Sequence, residues 1–398
     1  MKAVRLAIVC THPIQYYAPI FQHLARSGVI VPKVFFTWSQ TASGQVRDAG
    51  FGKSIEWDIP LLSGYDSEFV PNLARRPGTD RFSGLYNPAL NGLIEAWGPD
   101  AILVFGWSSR SHLGALRHFK GRIPVFFRGD STLLDRGSAL RAAVRRRLLT
   151  WVYRHVDVPI AVGANNRDYY LWCGVSPERI AFAPHAIDVE RFADLEGEHD
   201  ARAREWRREL RISPQARVVL FAGKLIAKKD PLLLLDAFCA AAVPGHLVFA
   251  GNGALEETIK SRARGRADVH FLPFQNQSAM PALYRVGDVF ALPSSGPGET
   301  WGLALNEAMA SARPVIASSR AGGTRDLVHQ GINGWSFPAG DLLALTAVVR
   351  NALTSESEKL RQMGRAAQRG SRYWSVATAA RGIESAVLRF MGTRRVAA

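Results

Sequence analysis

Two glutamates eight residues apart, Glu299 and Glu307, carry the clearest chemistry in this sequence. They lie in the stretch PSSGPGETWGLALNEAMASARPVIASSRAGG, from Pro293 to Gly323. The apolar run Val289–Ser294 predicts a buried parallel strand, a loop with Gly and Pro follows, and Leu303–Ala312 predicts a helix. Glu299 is therefore expected at the rim of a sheet, and Glu307 on the helix beside it.

The backbone amides of Thr300, Trp301, Gly302 and Leu303 lie where this predicted helix begins. Amides in the first turn of a helix lack intrahelical partners, so they suit an anion and above all a phosphate. Carboxylates near a bound phosphate are suited to hydroxyl groups. The stretch therefore predicts a site for a ligand that carries both phosphates and sugar hydroxyls.

The segment ETWGLALNE resembles the E-x7-E signature of retaining glycosyltransferases with the GT-B fold, in particular glycosyltransferase family 4. Its flanks match as well: PSS before it, then EAMASARPVIAS and AGGTRDLVHQGINGWSF. The resemblance implies an α/β protein of two Rossmann-like βαβ domains facing each other across a cleft, with a C-terminal helix that crosses back to the N-terminal domain. The alternative is a loop glutamate and a solvated helix-face glutamate without a common ligand.

A second motif, FAGKLIAKKD (Phe221–Asp230), is similar to the family segment G-R-L-x-x-x-K-G. Lys224 stands at the Arg position and Lys229 at the Lys position, whereas Asp230 replaces the final Gly. Two cations near a strand's carboxyl end can neutralise a departing diphosphate as it gains charge. A lysine keeps the charge of arginine but loses its bidentate geometry. Two exposed surface lysines are the structural alternative.

Further donor contacts follow from the resemblance alone. The family has a Gly-x-Gly after the second strand of its donor domain, where the backbone approaches the nucleotide, and Gly251 and Gly253 match it, together with Gly223 of the first loop. A plain turn would need the same glycines. Phe274 lies at the end of the next strand, where the family meets the nucleobase through backbone groups.

The acceptor side departs from the family. His12 and Gln15 lie in the first β–α loop, THPIQYY, where the family has a Gly-rich loop, and they are candidates for acceptor contacts or for loop stabilisation. Asp130 falls where the family has a histidine near the donor sugar, with Arg128 two residues before it. These two residues could orient a sugar hydroxyl or form a structural ion pair. His185 replaces Asn in the family's P-N-G-V-D, and Asp188 reads as a turn or cap residue.

No metal or other cofactor is expected. The sequence has no Asp-x-Asp pair to hold a divalent ion on a nucleotide-sugar, and its His and Cys residues form no zinc-like clusters. It also lacks the G-x-x-x-x-G-K-[ST] loop of P-loop enzymes. Lysines and helix amides are expected to supply the positive charge that a divalent ion would otherwise bring to the nucleotide-sugar.

Apolar runs alternate with helical patterns twice along the chain, which predicts two parallel sheets. We place the domain junction in the charged segment 193–211. The predicted acceptor-binding domain is 1–195 plus a returning helix at 374–398, and the predicted donor-binding domain is 212–373. The apolar part of MKAVRLAIVCTHP is too short for a signal peptide and reads as a first strand.

Composition is that of a soluble globular protein, with 47% hydrophobic and 21% charged residues and no apolar run long enough to span a membrane. Cys10 and Cys239 lie in apolar runs, which suggests reduced thiols and a cytoplasmic protein. The net charge of +16 favours anionic partners. Nucleic acid is not expected, because no zinc-knuckle, RNP or helix-turn-helix signature is present.

The basic helix predicted over 137–155 has apolar residues at three- and four-residue steps among several arginines. The apolar residues are Leu140, Val144, Leu148, Trp151 and Val152. This pattern predicts either a stripe that packs on the N-terminal sheet beneath solvated arginines, or a peripheral contact with the anionic inner face of the plasma membrane.

The combined interpretation is a retaining, metal-independent glycosyltransferase that acts in polysaccharide or glycolipid biosynthesis. The resemblance implies that Glu299 holds the donor sugar, that Glu307 holds the ribose, and that a sugar or lipid-linked sugar is the acceptor. Two rivals stay open: a GT-B-like nucleotide-sugar epimerase, and a glycosyltransferase-like binding protein that has lost activity.

Overall fold

The computed structural model describes residues 3–42, 45–48, 53–135, 137–194 and 196–397. It divides into two compact units. The first contains Met1–Val46, Ile59–Ala186 and Val376–Ala398, and the second contains Arg47–Asp58 and Ile187–Ser375. Each unit is built on its own parallel β-sheet, as the sequence pattern predicts.

The first unit has a seven-stranded sheet in the order β5-β2-β1-β6-β7-β8-β9, with parallel neighbours throughout. A separate two-stranded pair, β3-β4, lies between β2 and β5 in sequence. The strands of the seven-stranded sheet are β1 (Val4–Cys10), β2 (Ile30–Phe36), β5 (Asp66–Phe69), β6 (Ala101–Phe105), β7 (Val125–Arg128), β8 (Val158–Ala161) and β9 (Ala181–Phe182). The separate pair consists of β3 (Gln45–Asp48), which spans the limit between the two units, and β4 (Lys53–Glu56), which belongs to the second.

Alternate residues of each strand point to opposite sides of the sheet, and both sides are apolar. Helices therefore cover both faces. On β6, Leu103 joins one apolar cluster with Phe21 of α1, while Ile102 joins another with Leu116 of α3. The helices of this part of the chain are α1 (Ala18–Ser27), α2 (Leu90–Trp97), α3 (Arg110–Phe119), α4 (Ala139–Tyr153) and α5 (Ala164–Trp172).

The basic helix α4 exposes most of its apolar stripe, contrary to the interpretation that the stripe packs on the sheet. Leu140 is 77% exposed, Val144 65%, Leu148 49% and Trp151 39%. Only Val152 of the predicted stripe is buried, and Leu149 and Tyr153 complete the packed face. The expectation that the stripe packs on the sheet is therefore wrong for four of its five residues, because the helix turns a different side toward the core.

The second unit has a six-stranded parallel sheet in the order β12-β11-β10-β13-β14-β15. Its strands are β10 (Val218–Ala222), β11 (His246–Ala250), β12 (Val269–Leu272), β13 (Val289–Leu292), β14 (Val315–Ser318) and β15 (Gly334–Phe337). Its helices are α6 (Val189–Phe192), α7 (Glu198–Glu209), α8 (Pro231–Ala241), α9 (Glu256–Arg262), α10 (Met280–Val286), α11 (Leu303–Ala310), α12 (Thr324–Leu327), α13 (Leu342–Thr354) and α14 (Ser357–Ser371).

The charged segment 193–211 contains a helix of the second unit. Helix α7 buries Ala203 and Trp206 and packs on α10, and Arg207 forms a 2.9 Å ion pair with Asp288. Its few apolar residues share one face, so the helix packs on the second unit although the segment is highly charged. The boundary between the units falls at Ala186–Ile187, earlier than the junction that we placed in this segment. Residue 195, our domain limit, lies outside the described residues.

The chain ends in helix α15 (Val376–Ala397), which belongs to the first unit. Ile383 and Val387 of α15 are fully buried in one cluster with Leu6, Phe21 and Ile160. A single helix therefore returns from the second unit to complete the core of the first. In the described part of the chain, no helix has both the length and the apolar character needed to cross a bilayer.

Candidate active site

The predicted donor residues gather at the carboxyl edge of the second sheet. Because the strands are parallel, all of them end at this edge, where ligands bind in open α/β sheets. Gly223 follows β10, Gly251 follows β11, and the loop that carries Glu299 follows β13. Strand order therefore brings together segments that are far apart in sequence.

The two glycines of the second loop, Gly251 and Gly253, are required by close packing of backbone on backbone. A Cβ atom on Gly251 would lie 2.1 Å from the carbonyl oxygen of Gly223, and one on Gly253 would lie 2.5 Å from that of Leu225. Gly223 N also donates to the carbonyl of Ala250 at 2.9 Å. The two loops thus support each other, which accounts for these glycines whether or not a nucleotide lies against them.

Lys229 and Glu299 form the central ion pair of the site. Lys229 Nζ lies 2.7 Å from Glu299 Oε2, and the Ser294 hydroxyl donates to the same carboxylate oxygen at 3.2 Å. Glu299 is only 7% exposed, whereas Lys229 keeps 18% of its side-chain surface open. The structure therefore joins the two catalytic candidates that the sequence placed in separate motifs.

Asp230 and Lys228 hold the loop that carries Glu299. Asp230 adopts a left-handed conformation, with φ of 52°, at the position where the related family has Gly. Its carboxylate accepts a 2.5 Å hydrogen bond from Ser295 Oγ. Lys228 Nζ donates to the carbonyl of Gly298 at 2.5 Å and lies 3.9 Å from Glu299. An aspartate tolerates this backbone conformation better than most residues, so the departure from Gly keeps the local geometry.

Helix α11 begins at Leu303, as predicted, after Gly302 in a left-handed conformation with φ of 92°. The side chain of Trp301 is buried and its indole Nε1 donates to Asn306 at 2.8 Å. Trp301 is therefore part of the packing beneath the site. That the backbone amides of residues 300–303 bind an anion stays a prediction.

Backbone hydrogen bonds hold the loop before α11 against the segment after β14. Gly322 N donates to the carbonyl of Glu299 at 3.0 Å, and Gly323 N donates to that of Trp301 at 2.8 Å. A Cβ atom on Gly322 would lie 1.8 Å from the carbonyl oxygen of Thr300. This close contact explains the glycine at position 322. A larger residue there would displace the loop that carries Glu299.

Glu307 lies on α11 and is 2% exposed. Its Oε2 accepts a 2.7 Å hydrogen bond from the hydroxyl of Tyr284, a buried residue of α10. The carboxylate is thus oriented by a partner that the sequence analysis did not identify. A tyrosine on a neighbouring helix leaves no signal in the E-x7-E motif, because the contact depends on how α10 and α11 pack.

Three other polar residues at this edge were also missed. Asn252 Oδ1 accepts from the backbone amide of Phe274 at 3.0 Å, so this predicted base-contacting amide has a protein partner. Arg320, after β14, donates to the carbonyl of Ser295 at 3.2 Å, and Ser294 contacts Glu299. Asn252, Ser294 and Arg320 each lie two residues after the end of an apolar strand, and this position is the signal that could have found them.

Lys224, the other predicted lysine, lies in the loop after β10 with a half-buried side chain.

The acceptor candidates lie at the carboxyl edge of the first sheet. His12 follows β1, and its Nδ1 lies 2.9 Å from the Thr11 hydroxyl. Its ring contacts Trp38 edge to face at 5.3 Å, and burial lowers its pKa to about 4. Gln15 lies half-buried in the turn before α1. His12 is therefore neutral at physiological pH and packed against an aromatic ring.

Arg128 is a buried structural residue. Its guanidinium donates to the carbonyl oxygens of Ala183 and Pro184, each at 2.7 Å, and the residue is 2% exposed. These bonds tie β7 to the segment after β9. Asp130, two residues later, is half-buried and interacts electrostatically with Arg128 and with the buried His185. Arg128 therefore has a structural role, but through backbone carbonyls and not through the ion pair with Asp130 that was one of the two alternatives. That Asp130 orients a sugar hydroxyl stays a prediction.

The burial of His185 is expected to make the first unit less stable in acid. Burial lowers the pKa of His185 from its ordinary 6.5 to about 4, although the nearby Asp130 acts in the opposite direction. Because the folded state disfavours the proton, this contribution to stability is complete above pH 6.5 and is lost as the pH falls toward 4. We expect His185→Asn to reduce the stability lost between pH 7 and pH 5 by about 2 kcal/mol. Denaturant unfolding at both pH values measures this difference.

The matched control is His23→Asn on the surface of α1, where the histidine is half-buried. We expect it to retain the acid sensitivity of the parent protein. An unchanged pH dependence in His185→Asn would contradict the prediction.

Among the described residues, the two sheet edges show no cluster of side chains suited to a metal ion. In the parts of the chain that the structure describes, no three His, Cys, Asp or Glu side chains lie together as metal ligands. Of the cysteines, Cys10 and Cys173 are buried and Cys239 is half-buried, and all three are free. Burial raises the pKa of the Cys10 thiol to about 12.

Two parallel-sheet, Rossmann-like units and a returning C-terminal helix define the GT-B class of fold. HepE from Anabaena, in complex with UDP, has this fold with a TM-score of 0.71 at 18% identity, over 96% of this chain and 99% of that chain. Residues 57–191 match the family described as glycosyltransferase family 4, and residues 202–370 match glycosyl transferases group 1. The chain belongs to this family of GT-B, family 4-like glycosyltransferases.

Curated relatives carry glycosyltransferase names. The D-inositol 3-phosphate glycosyltransferase of Geodermatophilus obscurus is 30% identical over 201 residues, which are 47% of this chain and 42% of that protein. The phosphatidyl-myo-inositol mannosyltransferase of Mycobacterium leprae is 33% identical over 171 residues, or 40% of this chain and 44% of that protein. The match therefore spans less than half the length of these two relatives.

Proposed function

We propose that the chain transfers a sugar from a nucleoside-diphosphate sugar to an acceptor hydroxyl. The observation that carries this proposal is the 2.7 Å contact between Lys229 and the buried Glu299, beside the first turn of α11. A cation, a carboxylate and helix amides lie together there. They match a ligand with an anionic diphosphate next to sugar hydroxyls.

In the proposed donor complex the diphosphate takes Lys229 as its cation, which releases Glu299 to bind sugar hydroxyls. Lys224, in the loop after β10, is the second proposed cation, and Glu307 binds the ribose hydroxyls. The glycines of the first two loops keep side chains away from the diphosphate. No metal ion is proposed, since the lysines and the α11 amides supply the positive charge.

We propose transfer with retention of configuration. The bond between the anomeric carbon and the diphosphate oxygen breaks while the acceptor oxygen bonds to the same face of that carbon. The acceptor proton passes to an oxygen of the leaving diphosphate. This route needs no protein base, so it is compatible with an Asp130 that only orients a hydroxyl of the donor or the acceptor.

The acceptor is proposed to be a sugar or a lipid-linked sugar bound at the first sheet, near His12 and Gln15. Two relatives are named for acceptors that contain inositol, one with a free phosphate and one within a phospholipid. These names and the net charge of +16 favour an anionic acceptor. We place the reaction in the synthesis of a polysaccharide or glycolipid in the cytoplasm.

Thermal unfolding with UDP, GDP and ADP tests the donor site. A ligand present at 100 times its dissociation constant adds about 2.7 kcal/mol of stability, so the correct nucleotide should raise the melting temperature clearly. Assays with the matching nucleotide-sugar then separate the rivals. An epimerase would convert the donor without acceptor, and an inactive binding protein would bind it without turnover. The absence of stabilisation by every nucleotide would contradict the proposal.

We also propose that α4 contacts an anionic membrane surface. Its exposed apolar residues Leu140, Val144 and Leu148 lie among arginines, and Arg117 lies over the exposed Trp151 ring at 5.7 Å. An apolar stripe with basic flanks suits the interface of an anionic bilayer, where each basic residue contributes about 1 kcal/mol. The exposure of the stripe is the observation that supports this contact.

Co-sedimentation with anionic and neutral vesicles tests the membrane contact. We expect binding to anionic vesicles that weakens steeply with salt, since the Debye length shrinks to about 8 Å at physiological ionic strength. Changing the exposed Arg141 and Arg147 to Glu should abolish it. The control changes Arg75 and Arg76, exposed in a loop of the same unit, to Glu. Equal binding by both variants, or no preference for anionic vesicles, would exclude α4 as the contact.

A further inference from the structure

A second cavity lies at the amino edge of the second sheet, opposite the donor site. Arg217 immediately precedes β10, Asp288 precedes β13, and Arg313 lies just before β14, and these three strands are neighbours. Together with Ser357, Arg361 and Arg365 of α14 they line a pocket of about 470 Å³, which we call the amino-edge pocket. Four of these six residues are arginines.

Within the pocket, the positive charges exceed the negative ones. Arg361 and Arg365 share one carboxylate, that of Glu358, at 2.9 and 2.7 Å. Arg217 donates to neutral acceptors, the Ser355 carbonyl at 3.1 Å and the Ser357 hydroxyl at 2.7 Å. Its charge is therefore available to an anion.

Asp288, the one acidic residue that lines the pocket, is paired with an arginine outside the pocket. Asp288 forms a 2.9 Å ion pair with Arg207 of α7, and the same carboxylate oxygen accepts from Val218 N at 2.8 Å. Asp288 also interacts electrostatically with Arg313, so its single charge is shared between Arg207 and an arginine of the pocket. The net charge of the lining stays positive when all of these carboxylates are counted.

Arg313 provides a second, independent observation that points to an anionic ligand. Its Nη2 lies 3.5 Å from Asp200, whose carboxylate is also shared with Arg285. Its Nε is buried without a hydrogen-bond partner among the described residues. Leaving a buried charged donor unpaired is costly, so such a group calls for an acceptor. Helix α14 adds the positive end of its dipole, because Ser357 in its first turn lines the pocket.

We propose that the amino-edge pocket binds a small phosphate-bearing anion. Several guanidinium groups around one cavity suit a phosphate, whose oxygens accept paired hydrogen bonds from arginine. A volume of about 470 Å³ accommodates a phosphorylated small molecule. The site is separate from the donor site, because the five residues of β10 span roughly 16 Å between the two edges.

Titration with inorganic phosphate, followed by phosphorus NMR at constant ionic strength with chloride as the balancing anion, tests this site. We expect Arg217→Gln to weaken phosphate binding at least about tenfold, because a charge-assisted hydrogen bond is lost. Arg365→Gln, on the exposed surface of α14, should weaken it as well and is informative if Arg217→Gln is unstable. Arg264→Gln, an exposed arginine of the same unit outside the pocket, should bind like the parent protein.

The variant Lys229→Ala distinguishes phosphate binding in the amino-edge pocket from phosphate binding at the donor site. Phosphate binding that persists in Lys229→Ala and is lost in Arg217→Gln or Arg365→Gln supports the amino-edge pocket. Binding that is lost in Lys229→Ala and retained in both arginine variants belongs to the donor site and overturns the proposal. No phosphate binding by the parent protein, or displacement of phosphate by equal chloride, overturns it too.

Discussion

Lys229→Ala is expected to lower turnover by at least about 100-fold while the fold stays intact, because a cation that stabilises the departing diphosphate is lost. Lys229 lies outside the apolar core, and Lys228 and the Ser294 hydroxyl stay beside Glu299 when Lys229 is replaced. Steady-state kinetics with the donor identified by thermal unfolding measures the loss. Circular dichroism and the melting temperature report whether the fold is retained.

Lys228→Ala is the matched comparison for this experiment. Lys228 is adjacent in sequence, has 35% of its side chain exposed, and lies 3.9 Å from Glu299. We expect a much smaller loss of turnover than in Lys229→Ala. Activity of Lys229→Ala within a few-fold of the parent enzyme would show that Lys229 does not contact the diphosphate.

Glu299→Ala and Glu307→Ala are expected to affect different steps. Glu299→Ala should abolish transfer while leaving affinity for the bare nucleoside diphosphate nearly unchanged, since its proposed partner is the donor sugar. Glu307→Ala should weaken that affinity, because its proposed partner is the ribose. Calorimetry with the nucleoside diphosphate and a transfer assay separate the two roles. Equal losses of nucleotide affinity in both variants would show that the assignment is wrong.

Tyr284→Phe controls for the structural role of Glu307. The Tyr284 hydroxyl donates to Glu307 at 2.7 Å, so Glu307→Ala also removes a buried hydrogen bond between α10 and α11. Tyr284→Phe removes this hydrogen bond and keeps the carboxylate. We expect a smaller loss of nucleotide affinity than in Glu307→Ala. A loss as large as that of Glu307→Ala would indicate that the carboxylate only supports the packing of α10 and α11.

Much of the architecture could be predicted from the sequence. Strand β13 begins at Val289, as the apolar run predicts, because a strand buried on both faces reads as a continuous apolar run. It ends at Leu292, two residues before the end of that run. Helix α11 begins at Leu303 as expected, where Gly302 breaks the preceding loop. Helix α7 was missed because its burial rests on few residues, mainly Ala203 and Trp206, within a charged segment.

The sequence by itself determined the two parallel sheets, the order of their loops and the residue types at the donor edge, since these depend on local patterns along the chain. Tertiary structure alone decided which side chains meet. It paired Lys229 with Glu299, gave Glu307 a tyrosine partner, and used Arg128 to bind two backbone carbonyls. It also left the apolar stripe of α4 exposed. Helical periodicity identifies an apolar face, whereas its burial depends on the surface that packs against it.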